Sequence, residues 1–176
     1  MLLERFFRPR SATAAGRALY AAAVARSRNP ALYGALAAPD TVEGRFEIYT
    51  LHVVLLLDRL RGQGAAAADV SQALFDTYVK ALDHALREMG VGDLSVGKKM
   101  RRLGEAFYGR VKSYAVAFES LPDVEPLRAL LVRTVYAEAE DAPVDALIAH
   151  VLAERDALLA RPTESLVAGD AGWVAP

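Results

Sequence analysis

The chain has 176 residues, 53% of them apolar, no cysteine and a formal net charge of −1. That length favours one domain with room for a real core. The missing thiols exclude disulfides and thiolate chemistry, and they leave any zinc site to His and carboxylates. The distribution of charge says more than its sum. Residues 1–28 carry six Arg against one Glu, residues 98–112 carry six cations against Glu105, and residues 119–176 carry four Arg against eleven acids. This asymmetry fits either an anionic partner or an acidic part that folds against the basic parts.

The start, MLLERFFRPR, is not a secretory signal, because Glu4 and three Arg interrupt it. Leu2, Leu3, Phe6 and Phe7 beside Arg5, Arg8 and Arg10 suit either contact with an anionic membrane surface or an arm packed on the domain or frayed. No apolar run approaches the ~20 residues that a membrane-spanning helix needs. The expectation is a cytoplasmic protein with weak, salt-sensitive attachment to the inner membrane.

Helical periodicity runs through the rest. Ser11 is a candidate cap for an Ala-rich helix reaching Arg26. Asn29-Pro30 signals a short second helix to about Leu36, and Pro39-Asp40 opens a third over 41–61. The third is apolar on most sides, which marks a central element. Its His52 reads as a core imidazole. Gly62 to Ala68 reads as a turn before a helix capped by Asp69 or Ser71. Two helices then meet at a glycine-containing turn. Phe75, Val79, Leu82, Leu86 and Met89 lie on one face of the first, beside a stripe of Asp76, Lys80, Asp83 and Arg87 with i,i+4 pairing. Gly90 suits the position past its end, and Asp93 or Ser95 could cap the next helix.

The second helix of this pair has Val96, Met100, Leu103, Phe107, Val111, Tyr114 and Phe118 at helical spacing. Lys98, Arg101, Arg102, Glu105 and Lys112 fall opposite. Lys99 and Arg110 lie on one flank, and Gly97, Gly104, Tyr108 and Ala115 on the other. Glycine inside a helix costs roughly 0.8–1 kcal/mol relative to Ala. Either a neighbouring helix packs tightly there or a partner approaches closely. Asp123 is placed to cap a sixth helix burying Leu127, Leu130, Leu131 and Val135. Asp141-Ala142-Pro143 starts a seventh burying Val144, Leu147, Ile148, Val151, Leu152, Leu158 and Leu159, and Pro162 stops it. Glu138, Glu140 and Asp141 read as a helix end. The tail 163–176 reads as a loop, with Trp173 either docked or at a flexible end. The expected fold is all-α, a single-domain bundle of six to eight helices: a basic arm and first helix over 1–28, the main helical domain over 29–162, and the tail.

His52, His84 and His150 show no metal-ligand spacing, and GxSxG, Walker A and GxGxxG are all missing. The sequence supports no catalytic pair, metal or cofactor, and the expectation is a non-enzyme.

The stretch ALREMGVGDLSVGKKMRRLGEAFYGR resembles the signature of the ubiquinol–cytochrome c chaperone family. The matching residues are Asp83, Leu86-Arg87-Glu88-Met89-Gly90, Gly92-Asp93-Leu94, Lys98-Lys99-Met100 and Phe107-Tyr108-Gly109-Arg110. The resemblance implies a chaperone that binds cytochrome b, or an assembly intermediate containing it, while the bc1 complex is built. It also implies a second assembly factor as a possible partner. The compact chain resembles the bacterial members. The client-binding residues expected from this are Lys98, Lys99, Arg101, Arg102, Tyr108, Arg110 and Lys112. The signature of turn and charged stripe is Asp83, Arg87, Glu88, Gly90, Gly92 and Asp93. Arg110 could equally be a structural partner for Asp83 or Asp93. The alternative is a bundle holding a small hydrophobic ligand such as a quinone, lipid or haem, which only His52 favours. Direct nucleic-acid binding is not expected of a chain whose net charge is −1.

Overall fold

A computed structural model describes residues 10–173 except Glu138 and Glu140, and excluding the side chains of Asp93 and Leu94. The described residues form eight helices: α1 Arg10–Ser27, α2 Pro30–Tyr33, α3 Val42–Leu60, α4 Ala65–Glu88, α5 Asp93–Glu119, α6 Glu125–Thr134, α7 Val144–Ala160 and α8 Thr163–Val167. No strand occurs among the described residues, so the expected all-α bundle is what forms. The N-terminal arm before Arg10 and the acidic pair Glu138 and Glu140 lie outside the described residues.

Helix α3 is the central element. Residues 51–56 are all buried, including Leu51, His52, Val53, Val54, Leu55 and Leu56. It contacts α1, α4, α5 and α7. Thr41 caps it by accepting the Gly44 N–H at 3.1 Å, and Asn29 caps α2 through the Ala31 N–H at 3.0 Å. Helix α1 lies close along α4. A Cβ on Gly16 would sit 2.6 Å from the Cβ of Ala73, so the Ala- and Gly-rich face of α1 is what permits the approach. Arg59, although buried, donates to the carbonyls of Leu158 and Arg161 and to the Thr163 hydroxyl at 2.8–3.0 Å. It thereby satisfies carbonyls that the end of α7 leaves open.

Several boundaries differ from the sequence expectation. The Ala run 65–68 is the first turn of α4 and not a connecting turn; neither Asp69 nor Ser71 caps it. Alanine's helix propensity carries the helix back to Gly64, whose φ of +94° makes the bend. Ser11 lies inside α1, and Gly92, not Asp93 or Ser95, occupies the cap position of α5. Asp123 accepts the Glu125 N–H at 3.0 Å, although Val124 holds the cap position of α6. Leu159, expected inward, is 50% exposed. The tail forms α8, buries Leu166 and Ala171, and places the Trp173 ring 5.6 Å from His52. Leu166 is the apolar anchor that turns this segment back onto the bundle.

Candidate interaction surface

Helices α4 and α5 form an antiparallel hairpin. Gly90, at φ +79°, follows α4, and its N–H reaches the Arg87 carbonyl at 3.0 Å. Asp83 and Arg87 of the charged stripe pair as their spacing suggests: Arg87 Nε lies 2.8 Å from Asp83, and beside the stripe His84 lies 3.2 Å from Glu88. Both pairs are substantially exposed, so each contributes a few tenths of a kcal/mol at most (~0.3–0.5).

The two apolar faces do not close on one another along their length. Phe107 is buried and stacks at 4.6 Å from Tyr78 and 5.4 Å from Phe75. Toward the hairpin tip, Met100 and Leu103 are only half-buried, as are Val79 and Leu82. With Phe75, Tyr78, Gly104 and Phe107 they line a cavity of about 200 Å³. Of Met100, Leu103, Phe107 and Val111, which the spacing places together on the inward face, Phe107 is buried and Val111 is half-buried against the core, while Met100 and Leu103 stay half-exposed along the cavity. Met89, expected to face inward, is 64% exposed at the tip. Nothing in a periodic pattern distinguishes a seam from a groove, because both need the same apolar stripe.

The glycines of α5 explain themselves differently from the tight-packing expectation. A Cβ added at Gly97, Gly104 or Gly109 meets no atom within 4 Å. No neighbouring helix of the described chain requires them to be small. Ala115, by contrast, is half-buried beside Val54 and Leu57 of α3. Tyr108 is 62% exposed, with its ring 5.6 Å from Phe75. At 100° per residue, Gly97, Arg101, Gly104 and Tyr108 share the flank that turns toward α4.

The cations divide sharply. Arg110 forms a two-pronged pair with Glu47 of α3 at 2.8 and 2.9 Å, and the carboxylate raises its pKa further above the usual guanidinium value. Of the two partners expected for it, Asp83 pairs with Arg87 instead, and the Asp93 side chain lies outside the described residues. Sequence could not find Glu47, which lies 63 positions away. Lys98, Lys99, Arg101, Arg102 and Lys112 are all exposed, and none has an ion-pair partner among the described residues. Elsewhere arginines are engaged: Arg26 with Glu154, Arg128 with Glu125 and Asp145, and Arg161 with Asp170. Internal complementarity thus accounts for part of the acidic C-terminal third. Among the described residues it does not reach the exposed cations of α5.

The histidines form no comparable site. His52 is fully buried, its Nδ1 lies 2.8 Å from the Ile48 carbonyl, and burial lowers its pKa to about 4. The rings of His150 and Trp173 wall it in at 6.0 and 5.6 Å. No cluster of His and carboxylates among the described residues could hold a metal ion, and no described helix is long and apolar enough to cross a membrane.

Comparison with known proteins adds two findings. The family described as ubiquinol-cytochrome C chaperone matches residues 34–173. A crystal structure of the Cbp3 homolog from Brucella abortus superposes with a TM-score of 0.83 at 38% identity, covering 97% of this chain and 94% of that one. Among curated proteins, none matches.

Proposed function

Because the chain belongs to the ubiquinol–cytochrome c chaperone family, we propose that it promotes assembly of the bc1 complex by holding cytochrome b, or an early intermediate containing it, on the α4–α5 hairpin. Membership of a chaperone family implies a non-enzymatic role. The observation that supports the hairpin as the working part is the open groove. Its floor is apolar, its α5 lip carries Gly97 and Gly104 with free space beside them, and Arg101, exposed and without an ion-pair partner among the described residues, flanks it.

A newly made membrane protein presents apolar helix surface that has not yet found its neighbours. A helix laid in a groove buries such surface, and glycines let the two backbones approach closely. Tyr108 offers a broad contact with an apolar body and a polar tip. Of the α5 cations, Arg101 shares the groove flank with Gly104 and Tyr108 and faces the client in this reading, while Lys98, Lys99, Arg102 and Lys112 lie farther round the helix. Arg110 holds α5 against α3 instead. A second assembly factor would share the same surface or a neighbouring one. The chain would work in the cytoplasm, peripherally on the inner membrane.

Filling the groove tests the reading. Gly104→Leu places a Cβ where no atom stands within 4 Å and sends the rest of the side chain toward the groove, and leucine favours the helix. The folded variant is expected to lose capture of cytochrome b from a detergent extract. Undiminished capture by a folded Gly104→Leu protein would remove the groove from the account.

A further inference from the structure

The far side of α5 carries a feature that the groove does not use. Lys98, Arg102 and Lys112 lie in a row opposite the buried Phe107 and Tyr114, with Lys99 and Arg101 beside them and Glu105 as the only acid. The row from 98 to 112 is about 21 Å long at 1.5 Å per residue. All five cations are exposed and none is ion-paired among the described residues. At the end where they are densest, the hairpin turn leaves Met89 64% exposed.

We infer that this outer face of α5 rests on an anionic lipid surface, while the opposite flank of the same helix serves the groove. The inference deepens the proposed function and rests on it, since a chaperone for a membrane client would work at the bilayer. Long flexible cations on a flat helix face, with an apolar side chain at one end, suit headgroups that spread their charge over a plane. RNA suits the face less well. A single-strand site needs aromatic platforms among its cations, and the one exposed aromatic of α5, Tyr108, sits on the groove flank against Phe75. An acidic protein partner would fix its cations in specific pairs, whereas a row spread over ~21 Å of one helix suits charge spread over a plane.

The test uses the full chain and vesicles of phosphatidylcholine with or without about one-third phosphatidylglycerol. Co-sedimentation is expected with the anionic vesicles alone, and it should disappear near 1 M salt, where the screening length is only ~3 Å. The variant K98E/R102E/K112E should bind on the order of 100-fold more weakly, at about one kcal/mol per cation near the surface. Circular dichroism checks that it is folded. The same variant should still capture cytochrome b in detergent, whereas Gly104→Leu should lose that capture and keep its vesicle binding. This double separation distinguishes failure of the lipid inference from failure of the groove. Equal binding to neutral vesicles would overturn the inference. So would full vesicle binding by the triple variant, which would place attachment elsewhere in the chain. Displacement from anionic vesicles by single-stranded RNA at lower concentration than by added anionic lipid would overturn it in favour of nucleic acid.

Discussion

Replacing Gly97 and Gly104 together by alanine should stabilise the domain while weakening its work. Each glycine sits inside α5, at positions where an added Cβ meets nothing within 4 Å. Neither lies in the left-handed region, so alanine enters without backbone strain. The helix-propensity gain is then unopposed, at roughly 0.8–1 kcal/mol per site. The two sites are seven residues, about 10 Å, apart and share no partner, so their effects should add to roughly 1.6–2 kcal/mol. For a domain of this size that corresponds to a rise of about 3–8 °C in Tm. Urea unfolding followed by far-UV circular dichroism measures it, with an unchanged m-value expected. The same double variant should capture cytochrome b less well, because two methyl groups hold the approaching backbone away. Neutral or negative stability would mean that the space beside α5 is filled within the chain itself. A stabilised protein with unimpaired capture would mean that the glycines serve no approach.

Phe107→Ala should cost about 3–5 kcal/mol, because the ring is 2% exposed and packs on Tyr78 and Phe75; a loss below about 1 kcal/mol in urea would place the ring outside the core. Glu47→Ala and Arg110→Ala should each destabilise by roughly 1–3 kcal/mol, and a double-mutant cycle should show that the two losses do not add. Additive losses would remove the pair as the tie between α3 and α5. The triple reversal of Lys98, Arg101 and Arg102 to Glu should change stability by no more than about 0.5 kcal/mol yet lower the amount of assembled bc1 complex. Normal bc1 levels with abundant folded protein would move the working surface elsewhere. Stability should also fall as pH drops from about 6.5 toward 4. His52 has its folded pKa lowered to about 4 by burial, so the unfolded chain binds more protons in that window. The stabilisation is complete above the unfolded value and is lost as pH falls through the folded one. The slope should flatten in His52→Leu, and an equally steep slope there would assign the effect to other groups.

Helix periodicity made the bundle legible because each apolar stripe has one face to bury, and α3 announced its central place by being apolar nearly all round. Boundaries were less legible. The Ala run before Asp69 has no side chain that marks a start, and propensity alone extended α4 through it. The tail hid α8 because one leucine, Leu166, anchors it. The α4–α5 signature marked the hairpin as the stretch to read most closely, but its two most informative properties depend on what lies opposite. Whether Met100 and Leu103 meet a neighbour or open space is a matter of tertiary arrangement. So is the choice of Arg110 for Glu47 over Asp83. The exposed cations of α5, without ion-pair partners among the described residues, stand out only against the arginines that have them, among them Arg26, Arg128 and Arg161.

The most direct test of the central claim is site-specific photo-crosslinking in cells assembling the bc1 complex. A photoreactive side chain at position 108, on the groove flank, should crosslink to cytochrome b. One at position 159, exposed on α7, should not. Crosslinks to cytochrome b from 159 with none from 108, in cells with normal bc1 content, would contradict the assignment of the hairpin as the client-holding surface.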